Sequence, residues 1–569
     1  MKEVKPMCRV KRILVCLLIT AIFGGIYFYL ELPAINLQAT EFYVFAFLLC
    51  AVYCAAAVFT GKLGTGEKRD PKVIHMDHIP QPAININGQN IKDFFRMMKR
   101  HCMVPFFLCC ALVVIYLVGS FMSSVILRAH AYTQLLPVQE GDFVTDVQEI
   151  SFDQIPMLDK DSAAKLGDRK LGELSDMVSQ FEVANEYNQI NYKGRPVRVT
   201  LLEYGDLIKW LTNRQNGLPA YLYIDMVSQN VEVVRLPEGQ GIKYSHSELF
   251  GRYLERHLRF QYPTFMFDTP VFEIDEEGDP YWICPKVEKT IGLFGGTDVN
   301  GAVLVNAITG ESQYYPAADI PAWCDHVYSA NLIMQQYDYY GLYQRGWLNS
   351  IFGQKGVTIT TDGYNYIALN DDVYMYTGVT SVGSDQSNVG FILTNQRTKE
   401  SKYYPCAGAT EYSAMSSAQG VVQHLNYKAT FPLLLNIHSE PTYFIALKDN
   451  AELVKMYAMV NVAQYQIVAT GTSVAECSEN YSKLLAQNGV VHDSALPATE
   501  VTGKIDDIRS AVIDGNTVFY IRLQDDDTYY AVSASASEIA VILNPGDRVT
   551  IRFAAGESAI LTANSIELK

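Results

Sequence analysis

The densest group of carboxylates in this chain lies between Glu273 and Asp279, around Gly278. Oxygen-rich turns of this kind bind hard cations such as Ca²⁺, and Asp275, Glu277 and Asp279 are the candidate metal ligands. Their spacing departs from the EF-hand loop, which requires a central Gly and a terminal bidentate Glu. Solvated turn residues are the simpler interpretation, so we expect neither a bound metal ion nor another cofactor.

Paired aromatic residues form the second group of candidates. Tyr314 and Tyr315 are adjacent, Tyr403 and Tyr404 form a similar pair later in the chain, and Trp347 lies between the two pairs. Tyr and Trp are enriched at binding surfaces because each combines a large apolar ring with a polar tip. These five residues are the predicted binding residues, with packing against a sheet as the alternative.

The sequence contains none of the common catalytic motifs. It has no Gly-x-x-x-x-Gly-Lys-Ser/Thr, Gly-x-Ser-x-Gly or His-Glu-x-x-His. His246 and His257 lie near Arg256 and Arg259, which is typical of a solvated basic helix face. A glycosidase needs two carboxylates that face each other across a cleft, and a sequence does not reveal such a pair. We therefore predict no catalytic residue.

An internal similarity organises the middle of the chain. Gly301–Pro316 and Gly390–Pro405 share Gly, Leu, Asn, Thr, Glu, Ser, two Tyr and Pro at a constant offset of 89 residues. In each copy an apolar segment enters an Asn-x-x-Thr turn, and a Tyr-rich segment follows and ends at Pro. Asn and Thr bond the backbone of such turns, while aromatic residues favour strands. The pattern predicts two β-hairpins.

The end of the first copy, Leu304-Val-Asn-Ala-Ile-Thr-Gly-Glu311, resembles the strand pair that closes PepSY domains of bacterial envelope and secreted proteins. The second copy fits with Lys399 in place of the usual Gly. The resemblance implies units of one helix and an antiparallel hairpin. It also implies a non-catalytic role, because PepSY-like modules typically accompany proteases or bind and regulate envelope partners.

Helical segments separate these hairpins. Ser245-x-x-Glu248 reads as a capping box that opens a helix over 249–260. Helical composition recurs at 323–340 and 410–425. We therefore predict α+β repeat units, each a small antiparallel sheet covered by a helix. The expected boundaries are a connecting region with a possible first unit at 128–215, units at 216–295, 296–384 and 385–475, and a linker at 476–497.

The last segment, 498–569, differs from the preceding units in its sequence pattern. Five short strands with an Asp514-Gly515 hairpin turn predict a small β-barrel that resembles an OB-fold. Barrels of that kind bind nucleic acids or sugars elsewhere. Here the strands carry no basic groove, and Asp525, Asp526 and Asp527 are consecutive. We therefore expect no nucleic-acid partner.

Three apolar runs precede all of these segments, at 13–30, 42–59 and 104–127. Each is free of Asp, Glu, Lys and Arg and long enough to cross a bilayer, so 1–127 is the predicted transmembrane anchor. Basic residues flank the first run and fill the loop 60–102, which predicts a cytoplasmic N-terminus and a cytoplasmic loop. Three crossings then place 128–569 outside the cell.

Charge supports this division. The chain carries 45 Lys and Arg against 61 Asp and Glu; residues 1–127 have 13 basic and 7 acidic residues, and residues 128–569 have 32 and 54. Such a surface disfavours nucleic acid and anionic lipid as partners of the external part as a whole.

The fold expectation is thus a multi-pass membrane protein with three N-terminal helices, a large extracytoplasmic α+β region and a C-terminal barrel. We expect a non-enzymatic envelope protein, of the Gram-positive type, that binds or regulates a partner protein or wall component. The alternatives are an envelope enzyme acting on wall polysaccharide through an acidic cleft, and an accessory subunit of a larger membrane complex.

Overall fold

The computed structural model describes residues 9–63, 102–149, 155–369, 371–383, 387–490, 498–513, 516–533, 537–554 and 560–569. Most of the predicted loop 60–102 and the predicted Asp514-Gly515 turn lie outside the described residues. Three N-terminal helices are long and apolar enough to span a membrane. They are α1 (Arg9–Glu31), α2 (Thr40–Leu63) and α3 (Met103–Met122).

The third apolar helix ends earlier than the predicted residue 127. After α3 the chain turns at Ser123, and a separate helix, α4 (Val125–Thr133), begins. The Ser123 hydroxyl donates to Gly119 O at 2.7 Å and accepts the backbone N–H groups of Leu293 and Phe294 at 2.9 and 3.0 Å. These bonds fix the turn, which hydropathy alone does not detect.

The region after α4 is built on four sheets and a C-terminal module. A short strand, β1 (Val138–Glu140), precedes them. The first sheet contains β2 (Phe181–Val183), β3 (Asn188–Tyr192), β4 (Arg195–Tyr204), β5 (Ala220–Asp225) and β6 (Val231–Arg235). The second contains β7 (Met266–Phe267), β8 (Val271–Ile274), β9 (Pro280–Ile291), β10 (Gly295–Asn306) and β11 (Ser312–Pro316). The third contains β12 (Thr358–Thr360), β13 (Asn365–Leu369), β14 (Asp372–Ser381), β15 (Ser387–Asn395) and β16 (Ser401–Ala409). The fourth contains β17 (Lys428–Ala429), β18 (Leu433–Ile437), β19 (Glu440–Lys448), β20 (Val454–Asn461) and β21 (Val468–Gly471).

All four sheets have the same strand connectivity. In each, the first two short strands pair with the third strand, the third pairs with the fourth, and the fourth with the fifth. β1 adds a parallel edge strand to β16 of the third sheet. The predicted boundaries at 215/216 and 384/385 fall between the paired third and fourth strands of the first and third sheets, and 295/296 falls at the start of β10, the fourth strand of the second sheet. Each of these three sheets therefore extends across one boundary.

The two similar hairpins pair in the same register. Gly301 lies opposite Pro316 in β10–β11, and Gly390 lies opposite Pro405 in β15–β16. In both turns the Asn side-chain oxygen accepts the N–H groups two and three residues later. The Thr hydroxyl then accepts the N–H of the following Glu. The predicted Asn-x-x-Thr turn geometry is therefore present in both hairpins.

Helices precede or follow the sheets, and most begin at a side-chain cap that accepts a backbone N–H. These caps include Asp159, Ser329, Thr410 and Ser473. The helices are α5 (Phe143–Asp146), α6 (Lys160–Gly172), α7 (Leu207–Asn213), α8 (Leu254–Gln261), α9 (Ala330–Tyr343), α10 (Glu411–Val421) and α11 (Val474–Gln487). The helix α11 occupies most of the predicted linker 476–497.

The predicted capping box is wrong. Glu248 is fully buried and accepts the Tyr204 hydroxyl at 2.8 Å and the Trp210 indole N–H at 2.9 Å, so it joins the first sheet to α7. The helix α8 begins at Leu254 instead of the predicted residue 249, after a short 3₁₀ turn at Phe250–Arg252.

We define four units as a helix with the sheet that follows it: α6, α8, α9 and α10 with the first to fourth sheets. Neighbouring units share apolar cores. Leu222 and Trp282 belong to one cluster of the first and second units, and Ile283 and Ile392 to one of the second and third. A third cluster joins the third and fourth units. Lys448 of the fourth unit bonds Asp159 at the start of the first, so the units contact one another in cyclic order.

The C-terminal module has its own apolar core. Its strands are β22 (Ala498–Ile513), β23 (Asn516–Leu523), β24 (Tyr529–Ser533), β25 (Arg548–Ala554) and β26 (Ile560–Leu568). They pair in the order β22-β23-β24-β26-β25, and β25 pairs with β22.

The second unit contacts the ends of all three apolar helices. Arg259 Nε donates to Leu32 O at 2.9 Å, just past α1. Gln38, before α2, exchanges two hydrogen bonds with the backbone of Lys289. The Phe294 ring, at the tip of the β9–β10 hairpin, lies 5.2 Å from the ring of Tyr116 on α3. These contacts place the end of α1, the start of α2 and the end of α3 on the same side.

Candidate functional site

The four units surround a cleft of about 640 Å³. Every unit contributes to its wall, which mixes charged, amide and aromatic side chains, as ligand sites do. The described residues that line it are Asp159, Lys160, Asp161, Tyr187, Asn188, Gln189, Arg198, Thr269, Val271, Pro285, His326, Ser329, Ala330, Asn331, Tyr364, Asn365, Tyr366, Gln396, Ala429, Thr430, Phe431 and Lys448. A larger groove of about 940 Å³ between α2 and α3 has an almost wholly apolar lining, so the cleft is the candidate site.

Arg198 contributes a buried positive charge to the cleft. It lies on β4 and is only 7% exposed. Its guanidinium donates to the backbone oxygens of Tyr187 at 3.2 Å and Leu158 at 3.5 Å, and no carboxylate of a described residue forms an ion pair with it. Burial lowers the pKa of Arg198 to about 10, against the opposing effect of Asp159. A buried charge without an ionic partner is costly, and an anion in the cleft would reduce that cost.

Lys448 is already paired. Its Nζ lies 2.6 Å from Asp159 Oδ2 and 3.7 Å from Asp161 Oδ2. Of the charged side chains that line the cleft, two are therefore acidic and three are basic, namely Lys160, Arg198 and Lys448. The acidic cleft expected for the polysaccharide-cleaving alternative is not what these described residues form.

His326 lines the cleft and is held from behind by a buried carboxylate. Its Nδ1 and its backbone N–H both lie within 2.9 Å of Glu273 Oε1. The other Glu273 oxygen accepts the backbone N–H of Asp325 at 2.8 Å. Glu273 is fully buried on β8. A carboxylate that fixes one ring nitrogen of a His leaves the other nitrogen for a ligand.

Asp325 is a second buried carboxyl beside Glu273. Its Oδ2 accepts the backbone N–H of Asn191 at 2.7 Å, which links the segment before α9 to the first sheet. Burial, and then the nearby charge of Glu273, raise the pKa of Asp325 well above its ordinary value. The neutral form of Asp325 is therefore favoured in the folded chain.

Aromatic rings form one side of the cleft. Tyr366 packs edge-on against His326, with ring centroids 5.4 Å apart, and Tyr364 lies 5.5 Å from Tyr366. Phe431, from the fourth unit, completes this side. The rings offer a flat apolar surface next to the charged groups, an arrangement that suits a ligand with both characters.

The five predicted binding residues lie elsewhere. Tyr314 and Tyr403 are half-buried, and their hydroxyls donate to Asn300 O and Val389 O at 3.1 and 3.0 Å within their own hairpins. Tyr404 is buried against Phe143. Neither these residues nor Tyr315 and Trp347 line the cleft. Tyr315 and Tyr403 pack partly against a shared apolar core, and a binding role for the five residues stays a prediction.

The predicted metal ligands lie in the β8–β9 turn, outside the cleft lining. Asp275 Oδ1 accepts the backbone N–H groups of Glu277 and Asp279 at 3.1 and 2.8 Å, so it closes the turn. Burial raises the pKa of Asp275. Among the described residues, no group of three or more His, Cys, Asp or Glu side chains is arranged to hold a metal ion.

Sequence reasoning missed Arg198, His326 and Lys448. Arg198 lies in a strand of apolar neighbours, where a lone Arg is the only available signal. His326 lies at the start of the predicted helix 323–340, although the structure has turns and irregular chain there until the helix begins at Ala330. Arg198 and His326 are 128 positions apart, and only the tertiary structure brings both to the cleft wall. No protein-family model and no curated protein sequence matches this chain.

Proposed function

We propose that this chain is a membrane-anchored protein whose external units bind a ligand in the central cleft. The observation that carries the proposal is Arg198, a buried cation on the cleft wall without an ionic partner among the described residues. Buried charges are normally paired. A ligand that brings a negative charge to Arg198 would complete the pair, so the cleft is suited to binding.

The ligand class follows from the same wall. Guanidinium groups bind carboxylates and phosphates through two parallel hydrogen bonds. His326 and the amides of Gln189 and Asn365 suit further polar contacts, while the Tyr366 and Phe431 rings suit apolar ones. We infer a wall component or a peptide that carries a carboxylate or phosphate group, in keeping with an external location.

The proposed topology has a cytoplasmic N-terminus, a cytoplasmic 60–102 loop and an external region from residue 128. Basic residues before α1 and between α2 and α3 support it. The contacts of the second unit with the end of α1, the start of α2 and the end of α3 support it further, since an odd number of crossings requires these three ends on one face. The bilayer would be the partner of the three helices.

We further propose that the units are repeats of one module, similar to PepSY domains, and that the C-terminal strands form an OB-like barrel. The shared strand connectivity of the four sheets and the matching register of the two hairpins favour the repeat. The cyclic pairing of the five terminal strands favours the barrel. Binding modules of the PepSY type would be consistent with a ligand-binding, non-catalytic role.

Thermal unfolding of the detergent-solubilised full chain tests the proposal. The probes are glycerol phosphate and an N-acetylated tripeptide with a free carboxylate, each in excess, with the N-acetylated and C-terminally amidated tripeptide as the uncharged comparison. Ligands that bind only the folded state raise the melting temperature. We expect at least one anionic probe to raise it by a few degrees and the amidated peptide to have less effect.

Arg198→Gln should abolish that increase, and Arg198→Lys should retain part of it. The matched control is Arg195→Gln, on the same strand, because the Arg195 side chain is 71% exposed and pairs with Asp225. A wild-type chain that responds to none of the probes, or an Arg198→Gln variant that responds fully, would contradict the proposal.

One observation favours a second candidate function. The Glu273–His326 pair has the geometry of a carboxylate-oriented general base, with the imidazole on the cleft wall. An envelope hydrolase that uses His326 would lose its turnover of a wall polysaccharide or peptide in the His326→Gln variant. Turnover by the wild-type chain that this variant lacks would support the enzyme, whereas binding without turnover supports the first candidate.

A further inference from the structure

Four large apolar side chains are exposed together beside the end of α1. Leu207, Ile208 and Leu211 share one face of α7 and are 61%, 71% and 51% exposed. Phe250 is 61% exposed, and its ring lies 5.9 Å from that of Trp210 on the same helix. We call these four residues the apolar patch. Contiguous exposed apolar surface of this kind marks an interaction site.

The apolar patch adjoins the end of the first membrane helix. Arg256 donates from Nη1 to Phe250 O at 2.8 Å and from Nε to Tyr29 O at 3.0 Å. Its guanidinium also lies over the Tyr29 ring, 4.2 Å from the centroid. Tyr29 is two residues from the end of α1 at Glu31. A single guanidinium therefore separates Phe250 from the helix end where the hydrocarbon meets the headgroups.

The charge around the apolar patch is opposite to that of the external region as a whole. Segments 206–214 and 249–261 contain Lys209, Arg214, Arg252, Arg256 and Arg259 against two acidic residues, Asp206, which pairs with Lys209 at 3.5 Å, and Glu255. Lys and Arg side chains near a membrane surface are attracted to anionic lipid. Apolar side chains rimmed by Arg and Lys are typical of segments that lie in a bilayer interface.

The backbone of Phe250 is strained in a way that keeps its ring exposed. Its φ of +54° lies in the left-handed region, which bulky residues rarely adopt. Such a conformation is energetically unfavourable and persists where surrounding contacts impose it. Here the bond from Arg256 and that from the Tyr253 N–H both hold Phe250 O. Neither the strain nor the exposure benefits the soluble fold.

We propose that the apolar patch inserts into the outer leaflet of an anionic bilayer, so that the first unit rests on the membrane beside α1. The inference depends on the membrane anchoring in the proposed function and adds a second contact with the lipid. It is independent of what the cleft binds.

Quenching by brominated lipid tests the insertion. The full-length Ile208→Trp chain is reconstituted in nanodiscs of phosphatidylcholine and phosphatidylglycerol, with and without bromine on the acyl chains. The wild-type chain gives the background of the four native Trp residues. The matched control is Val421→Trp on α10, an exposed apolar position whose helix packs on the third and fourth sheets.

We expect brominated lipid to remove most of the additional Ile208→Trp emission and little of the Val421→Trp emission. Unquenched Ile208→Trp emission from a chain with wild-type melting temperature overturns the proposal. The same result with a dimer on sizing shows a second copy on the patch and also overturns it. A wild-type chain that fails to enter nanodiscs refutes the anchoring itself, whereas cleft binding is measured separately in detergent.

Discussion

Neighbouring carboxyl groups in this protein have different structural roles, and the local sequence does not show which role each one has. Glu273 and Asp275 belong to one acidic cluster, yet one is a buried partner of His326 and the other closes an exposed turn. Glu273 lies within β8, where the strand is buried, whereas Asp275 follows the last residue of β8, Ile274, and belongs to the turn. The sequence predicts an acidic cluster, but it does not predict which of its carboxylates is buried and which lies at the surface.

Asp325 gives a pH-dependent prediction at this scale. Its pKa is higher in the folded chain than its ordinary value. Between those two values the folded chain binds more protons than the unfolded chain, so the free energy of unfolding falls as the pH rises through that window. The side chain of the Asp325→Asn variant does not titrate, so this fall in the free energy of unfolding is absent. Its amide oxygen still accepts the Asn191 N–H. Relative to wild type, we expect the variant to become progressively more stable as the pH rises through that window.

Chemical unfolding of the full chain in detergent, at about pH 4 and about pH 7.5, measures this effect near the ordinary Asp pKa of about 3.9 and well above it. Asp279→Asn, on the exposed turn, is the control and should track the wild type at both values. An Asp325→Asn chain that is less stable at both would show that the ionised carboxylate is needed in the fold.

At the scale of elements, the hairpins were the most predictable part of the fold. Their alternating apolar and aromatic positions and the Asn-x-x-Thr turns are local signals, and the strands pair as expected around those turns. The partners on the other side of each hairpin were not predictable, because β9 and β14 pair through backbone groups that any sequence carries. For this reason the expected unit boundaries separate strands that pair with each other.

Gly390 is required because β15 and β16 of the third sheet lie close together at this position. A Cβ there would lie 2.5 Å from Tyr404 O and 2.6 Å from the Tyr403 ring. Gly390→Ala must therefore displace a strand, and we expect it to lower the free energy of unfolding by about 2–3 kcal/mol. Circular dichroism during urea unfolding measures the change.

Gly420→Ala provides a comparison of opposite sign. Gly420 lies in α10, and a Cβ there meets nothing within 4 Å. Because Ala is the better helix former, the variant should be about 0.5–1 kcal/mol more stable. A neutral Gly390→Ala would mean that the β15–β16 contact is looser than its geometry indicates.

At the scale of the whole molecule, the three apolar helices and the cleft differ sharply in how far the sequence predicts them. The three apolar helices follow from composition alone. The cleft depends on Arg198 of the first unit, Lys448 of the fourth unit and His326 of the segment before α9, which carry no shared motif. Their convergence results from the cyclic packing of the units, a property of tertiary structure.

Shared cores predict cooperative unfolding of the four units. Because each apolar cluster draws residues from two units, the loss of one unit exposes its neighbour. Native-state hydrogen exchange of the full chain should therefore give one common opening free energy for β4, β9, β14 and β19. The C-terminal module has a separate core and should open independently. Stepwise opening of the four central strands would contradict this expectation.

The bond between Lys448 and Asp159 has a consequence for biosynthesis. The two residues are 289 positions apart, and both line the cleft. Chain synthesis proceeds from the N-terminus, so Asp159 emerges long before its partner. The cleft wall is complete only after the fourth unit has been translated and, in the proposed topology, translocated. A nascent chain that is still crossing the membrane therefore cannot capture the ligand, and the order of synthesis itself delays binding until export is nearly finished.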